Sequence, residues 1–240
     1  MGKIRMAVDI AMTVLSIILM GGNHLFPADI VHEILGVGLF VLWTVHIVLN
    51  RRWYGAIFHG KYNAWRIMQT FINCCILICT LFLMISGIIL SNHVFTFLNI
   101  QGGLGFARIA HLLASHWYYL FMSLHIGLHM GMIANKMCHP ERKSCHPELV
   151  SGSPAEEMPK QVRHDRLQKI LLFILLALAC GYGIYAFIAR GVWKYLILRQ
   201  QFFFFDLELG YFLFAIDYIS IIILFATLSH LMAEKLKKVR

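Results

Sequence analysis

The sequence predicts an all-α integral membrane protein with six transmembrane helices, and three observations predict it. The chain is far more apolar than a soluble domain: 59% of its 240 residues are hydrophobic, 14% are charged, and its mean hydropathy is +0.70. It holds six apolar stretches near the length of roughly 20 residues that a hydrocarbon core of about 30 Å requires. Of its 21 Lys and Arg residues, all but Arg108, Arg190, Lys194 and Arg199 fall on one side when these stretches are threaded through a membrane. That is the asymmetry of the positive-inside rule, so both termini are expected in the cytoplasm.

The first span is expected over residues 6–24, after Lys3 and Arg5. A charged start and a short apolar run also suit a signal peptide, but no small-x-small cleavage site follows and Asp9 falls too early in the run. Myristoylation is not expected, because Met6 stands where Ser or Thr is needed. The second span covers 31–50, the third 68–90 and the fourth 110–133. These four form a first unit, residues 1–136. Residues 137–168 read as a disordered cytoplasmic linker rich in Pro, Ser and Glu. In it Cys-His-Pro-Glu occurs twice, at a spacing that matches no standard zinc finger, so an inserted linker is preferred to a metal site. Residues 169–240 supply a two-helix hairpin, with spans at 169–190 and 209–231.

The net charge of +9 follows from the cytoplasmic loops, which face anionic headgroups; no nucleic-acid motif accompanies it. Cys74, Cys75, Cys79 and Cys180 lie in spans and Cys138 and Cys145 in the cytoplasmic loop, so no disulfide framework is expected. Covalent c-type haem is not expected without a C-x-x-C-H motif. No nucleotide fingerprint, P-loop or catalytic triad is present, which excludes an independent soluble-type enzyme.

The histidines carry the strongest signal. "HEILGVGLFVLWTVH" places His32 and His46 14 residues apart, and "HLLASHWYYLFMSLH" repeats the interval with His111 and His125. A 14-residue step falls about 40° short of four helical turns and rises about 21 Å, so each pair shares one face at two depths. Spans two and four run parallel, which sets His32 level with His111 and His46 level with His125. Two facing imidazoles suit the axial positions of a haem, which brings four equatorial nitrogens of its own. Zinc wants about four protein ligands, and each level offers two. The sequence therefore predicts two bis-histidine haem b sites, with His32, His46, His111 and His125 as iron ligands. Gly36, about 40° from His32, and Ala114 and Ser115, flanking His111, leave room for a flat ring; Gly36 and Ser115 are candidate cofactor contacts. His129, one turn beyond His125, is the alternative inner ligand, or serves a propionate, a quinone or a proton path. His116 points about 140° from His111 and reads as packing or as an outer-surface residue.

Further residues lie outside this pattern. Asp9 and Asp217 are carboxylates in spans, costly unless paired with a positive group, bound to a quinone hydroxyl or used for protons. Gly127 and Gly131 form G-x-x-x-G, which permits close helix contact or makes room for a porphyrin. "WKYLILRQQFFFFDLELG" is an aromatic segment of the outer interface, suited to rim packing or to docking a partner or quinone.

"HEILGVGLFVLWTVHIVLNRRW", "GKYNAWRIMQTFIN", "LMISGIILS", "LLASHWYYLFMSLHIGLHMGMI" and "FFFFDLELGYFLFAIDY" resemble the flavinylation-associated cytochromes, a bacterial membrane family formerly known only as a domain of unknown function. The resemblance covers nearly the whole chain outside the 137–165 loop, and departs from the family at "ASHWYYL". It implies a four-helix, diheme, cytochrome b-like core plus two extra helices in a bacterial cytoplasmic membrane, with haem roles for His32, His46, His111, His125 and His129. It also implies electron transfer from the quinol pool or a cytoplasmic-side donor to an extracytosolic flavoprotein, with FMN carried only by that partner. Two other functions stay open: a haem-free transporter or channel that moves protons or metal through its histidines, and a cytochrome b anchor subunit of a membrane oxidoreductase complex.

Overall fold

The computed structural model describes residues 2–22, 28–59, 62–138, 159–202 and 210–238, and within these the side chains outside 132–138, 159–169 and 238. The described chain is all-helical: α1 (Gly2–Leu19), α2 (Asp29–Leu49), α3 (Arg51–Ala56), α4 (Ala64–Leu90), α5 (Leu104–Cys138), α6 (Pro159–Ala189), α7 (Val192–Leu196) and α8 (Gly210–Lys238), with one 3₁₀ turn at Thr96–Leu98. Four of them, α2, α4, α6 and α8, are long and apolar enough to cross a membrane, which makes this a membrane protein in composition and architecture. Lys3, Arg5 and Asp9 dilute the apolar run of α1, and four histidines and Arg108 dilute that of α5.

Most boundaries lie within a few residues of the sequence expectation, and the differences have local causes. Asn63 starts α4 early, because its side chain accepts a hydrogen bond from the amide of Arg66 at 2.9 Å, as an N-cap does. α5 has 35 residues, about 52 Å of helix, and overruns the expected span at both ends. α6 begins ten residues before its expected span, at Pro159, a residue suited to the first helical position. It stops at Gly191, whose φ of +63 favours glycine. The repeated Cys-His-Pro-Glu motif lies almost wholly outside the described residues.

The packing is uneven. α5 packs against α4 on one side and α8 on another, while α8 also packs against α6. The main core lies among α5, α6, α7 and α8, where Tyr118, Tyr119, Met122, Ala186, Val192, Phe214, Tyr218 and Ile221 are buried. Glycine permits this: a Cβ on Gly127 would collide with the Ala226 carbonyl of α8, and one on Gly183 would lie 2.5 Å from the Ser220 carbonyl oxygen. Of the two uses the sequence allows Gly127, it serves the close helix contact. The hairpin of α6 and α8 is thus an integral flank of α5.

α1 and α2 form a separate pair. Arg5 Nη2 donates to the last carbonyl of α2, on Leu49, at 2.6 Å, satisfying a helix-end acceptor. The pair joins the rest through Met20, which enters the core, through the Ser16 and Tyr118 hydroxyls at 3.2 Å, and through Glu33. α2 buries none of its residues although it is strongly apolar.

Candidate histidine-paired cofactor site

The space between α2 and α5 is bridged by histidines. The rings of His32 and His111 face each other with centroids 6.4 Å apart and planes at 66°. Those of His46 and His125 repeat the arrangement at 6.5 Å and 76°. Direct imidazole packing in this protein is closer: His125 and His129 meet edge to face at 4.8 Å. Two imidazoles bound end-on to one metal, with bonds of about 2.0 Å and ring centres about 1.1 Å behind each nitrogen, have centroids about 6.2 Å apart. Both cross-helix pairs stand at that spacing.

Hydrogen bonds to Nδ1 fix the tautomer of three of the four rings. His111 Nδ1 lies 3.0 Å from Ser86 Oγ, and that hydroxyl donates to the Phe82 carbonyl, so it accepts from the ring. His125 Nδ1 donates to Asn73 Oδ1 at 2.7 Å, and His46 Nδ1 donates to Asp9 Oδ1 at 2.7 Å. Each of these rings then carries its proton on Nδ1 and its lone pair on Nε2, the outer-shell pattern that orients metal-binding histidines; at His46 the side-chain amide of Asn50 stands 3.4 Å from that Nε2. His32 Nδ1 is buried with no partner among the described residues.

Two glycines stand near the rings. A Cβ built on Gly36 would meet nothing within 4 Å, and one on Gly87 would lie 3.7 Å from His111 Cε1. A bare ion fits less well, because no group of three or more His, Cys, Asp or Glu able to hold one occurs among the described residues. Two imidazoles per level suit a group that brings its own equatorial nitrogens.

The remaining candidates fall in different places. His129 lies against His125, one turn further along α5, and within electrostatic reach of His46 and Asp9. The Ser115 hydroxyl donates to its own helix, at the Leu112 carbonyl, at 2.9 Å. His116 is buried and stacked on Tyr195 at 4.3 Å, which joins α7 to α5, and its Nε2 has no partner among the described residues. Gly131 faces His230 on α8. Asp217 is ion-paired, with one oxygen 2.7 Å from Arg190 Nε and the other accepting from the Tyr182 hydroxyl at 2.6 Å. Of the options the sequence leaves for its carboxylate, pairing with a positive group is the one seen.

Three residues that sequence reasoning passed over support the site. Asn73 and Ser86 on α4 hold the two histidines of α5. They are 13 residues apart, a rise of about 20 Å that matches the histidine interval. Glu33, next to His32, accepts from Ser91 Oγ at 2.6 Å and from the amides of Asn92, His93 and Val94 at 2.8, 3.2 and 2.9 Å. It fastens the start of α2 to the loop after α4.

Comparison of the chain with protein-family models, with curated proteins and with solved structures finds no match.

Proposed function

We propose that this chain is a b-type membrane cytochrome that passes electrons through the bilayer by two haems, one held by His32 and His111 and the other by His46 and His125. The observation that carries the proposal is the pair of cross-helix contacts at 6.4 and 6.5 Å, with Nδ1 of three of the four rings hydrogen-bonded to Asp9, Ser86 and Asn73. His125, whose ring meets that of His46 at 6.5 Å and whose Nδ1 is held by Asn73, is the better ligand than His129. The proposal includes six spans, with α1 and α5 crossing beside the four more apolar helices and both termini in the cytoplasm. The distribution of Lys and Arg supports that orientation.

When bound, haem supplies one-electron redox chemistry whose potential depends on axial ligation, burial and hydrogen bonding. The chain's own residues set those conditions. Asp9, Asn73 and Ser86 fix ring orientation and raise imidazole basicity. Glu33 seats α2 so that His32 stays level with His111. The resemblance of the histidine blocks to flavinylation-associated cytochromes supports quinol or another cytoplasmic-side donor, with an extracytosolic FMN protein as acceptor. A catalytic subunit of a membrane oxidoreductase is the other acceptor class.

A second reading has its own observation. Asp9, His46, His125 and His129 form a run of titratable groups, joined by a hydrogen bond at 2.7 Å and ring contacts at 6.5 and 4.8 Å, as a haem-free proton path would. One experiment separates the two: a dithionite-reduced minus oxidised spectrum of the purified protein, with a pyridine haemochrome count. Two b haems per chain support the cytochrome; a haem-free protein from haem-sufficient cells overturns it in favour of proton transfer.

A further inference from the structure

A second polar site lies away from the histidines. Where α6 ends and α8 begins, a cavity of about 370 Å³ is lined by Tyr182, Arg190, Lys194, Gln200, Leu213 and Asp217, among others. The Arg190–Asp217 pair is largely buried, with side-chain exposures of 13% and 10%. Asp217 has both oxygens engaged, by Arg190 Nε and the Tyr182 hydroxyl. Arg190 is not satisfied in return: its Nη2 is buried with no partner among the described residues. Lys194 makes no ion pair among the described residues and lies 5.8 Å from the Trp193 ring, which Arg199 also approaches, at 5.7 Å. Among the described residues the cavity wall thus carries two cations against one carboxylate, and a third cation stands nearby.

The location sharpens the chemistry. Arg190, Lys194 and Arg199 gather in one short segment between two apolar helices. Beside it Ile184, Tyr185 and Ile188 of α6 and Tyr211 and Phe212 of α8 are exposed. A ligand that fits both parts has an anionic head and apolar tails.

We propose that this cavity binds the phosphate of an anionic membrane phospholipid, with the guanidinium of Arg190 and the amine of Lys194 on the phosphate and the acyl chains along α6 and α8. Basic pockets between membrane helices take anionic headgroups in this way, and a guanidinium edge with a free N–H matches a phosphate oxygen. The proposal rests on α6 and α8 lying in a membrane, and is independent of haem.

The test is native mass spectrometry of the full-length chain in detergent, titrated in turn with phosphatidylglycerol, phosphatidylcholine and inorganic phosphate. The expected result is a preference for phosphatidylglycerol that Lys194→Gln weakens about fivefold and Lys194→Arg keeps. Arg190→Gln combined with Asp217→Asn removes the ion pair without leaving a lone buried charge, and is expected to abolish the preference while the helical melt is retained. Equal binding of the two lipids, or a preference unchanged in both variants, overturns the proposal. Displacement of phosphatidylglycerol by millimolar phosphate overturns the lipid assignment in favour of a free anion. The same spectra report haem, so haem-free protein that keeps the lipid preference counts against the cytochrome alone.

Discussion

Asp9 of α1 holds His46 of α2: the carboxylate Oδ1 lies 2.7 Å from Nδ1 of the ring, across two helices that pack on each other. A carboxylate on Nδ1 orients the imidazole and makes Nε2 a stronger donor. Asp9→Ala is expected to weaken cofactor binding at the His46 level about tenfold, while Asp9→Asn, whose amide oxygen still accepts, keeps more of it. Haem content during stepwise haem titration reads the difference; equal behaviour of the two variants would show that Asp9 acts only on the helix pair.

The two histidines of α5 at the His46 level predict opposite results. His125→Ala is expected to halve the haem count and His129→Ala to leave it at two per chain. A pyridine haemochrome assay on each variant decides, and a halved count in His129→Ala would move the ligand down one turn.

Asn73 is half-buried and meets His125 through a side-chain bond of 2.7 Å. Asn73→Leu leaves a partly buried imidazole N–H without that acceptor, a cost of about 1 kcal/mol, and frees the ring to rotate. A lowered melting temperature together with a changed midpoint potential is expected from a redox titration, whereas a stability change alone would limit Asn73 to packing.

Glycine substitutions separate a close contact from open space. Gly127→Ala drives a methyl into the Ala226 carbonyl of α8 and is expected to destabilise by about 1–3 kcal/mol. Gly36→Ala meets nothing, so the apo protein should gain up to about 1 kcal/mol from helix propensity. Thermal melts of the two variants in detergent check the contrast.

Arg190 and Asp217 are expected to fail singly and succeed together. Arg190→Met alone leaves a buried carboxylate unpaired at a cost of about 3–5 kcal/mol, whereas Arg190→Met with Asp217→Leu is expected to recover most of it. A double-mutant cycle on melting temperature measures the coupling.

The all-helical class and most span positions were legible in the sequence, because apolar length and charge placement are local properties. The facing of His32 with His111 and of His46 with His125 was legible too, since equal spacing on parallel helices fixes depth before any contact is known. What holds those rings was not legible. Asn73 and Ser86 are ordinary single polar residues in an apolar run, and only the antiparallel packing of α4 on α5 brings them to the histidines. Glu33 reads as a helix-end charge until the chain returns at Ser91 to meet it. The dense core between α5 and α8 was hidden for the same reason: Gly127 and Gly183 mark close approach, and which helix approaches is decided by tertiary packing.

The fastening of the α1–α2 pair has a mechanical side. Its described hydrogen bonds to the rest of the chain, through Ser16 and Glu33, cluster towards the end where His32 stands. Towards His46 the described ties, Arg5 to Leu49 and Asp9 to His46, run only within the pair. Beyond Asn50, however, α2 continues into α3, and there the Ala56 and His59 carbonyls accept from the guanidinium of Arg66 on α4. The helix that carries His32 and His46 is therefore moored at both ends by different means, directly by Glu33 at one level and indirectly, through α3 and one arginine, at the other, although the two ring spacings are nearly the same.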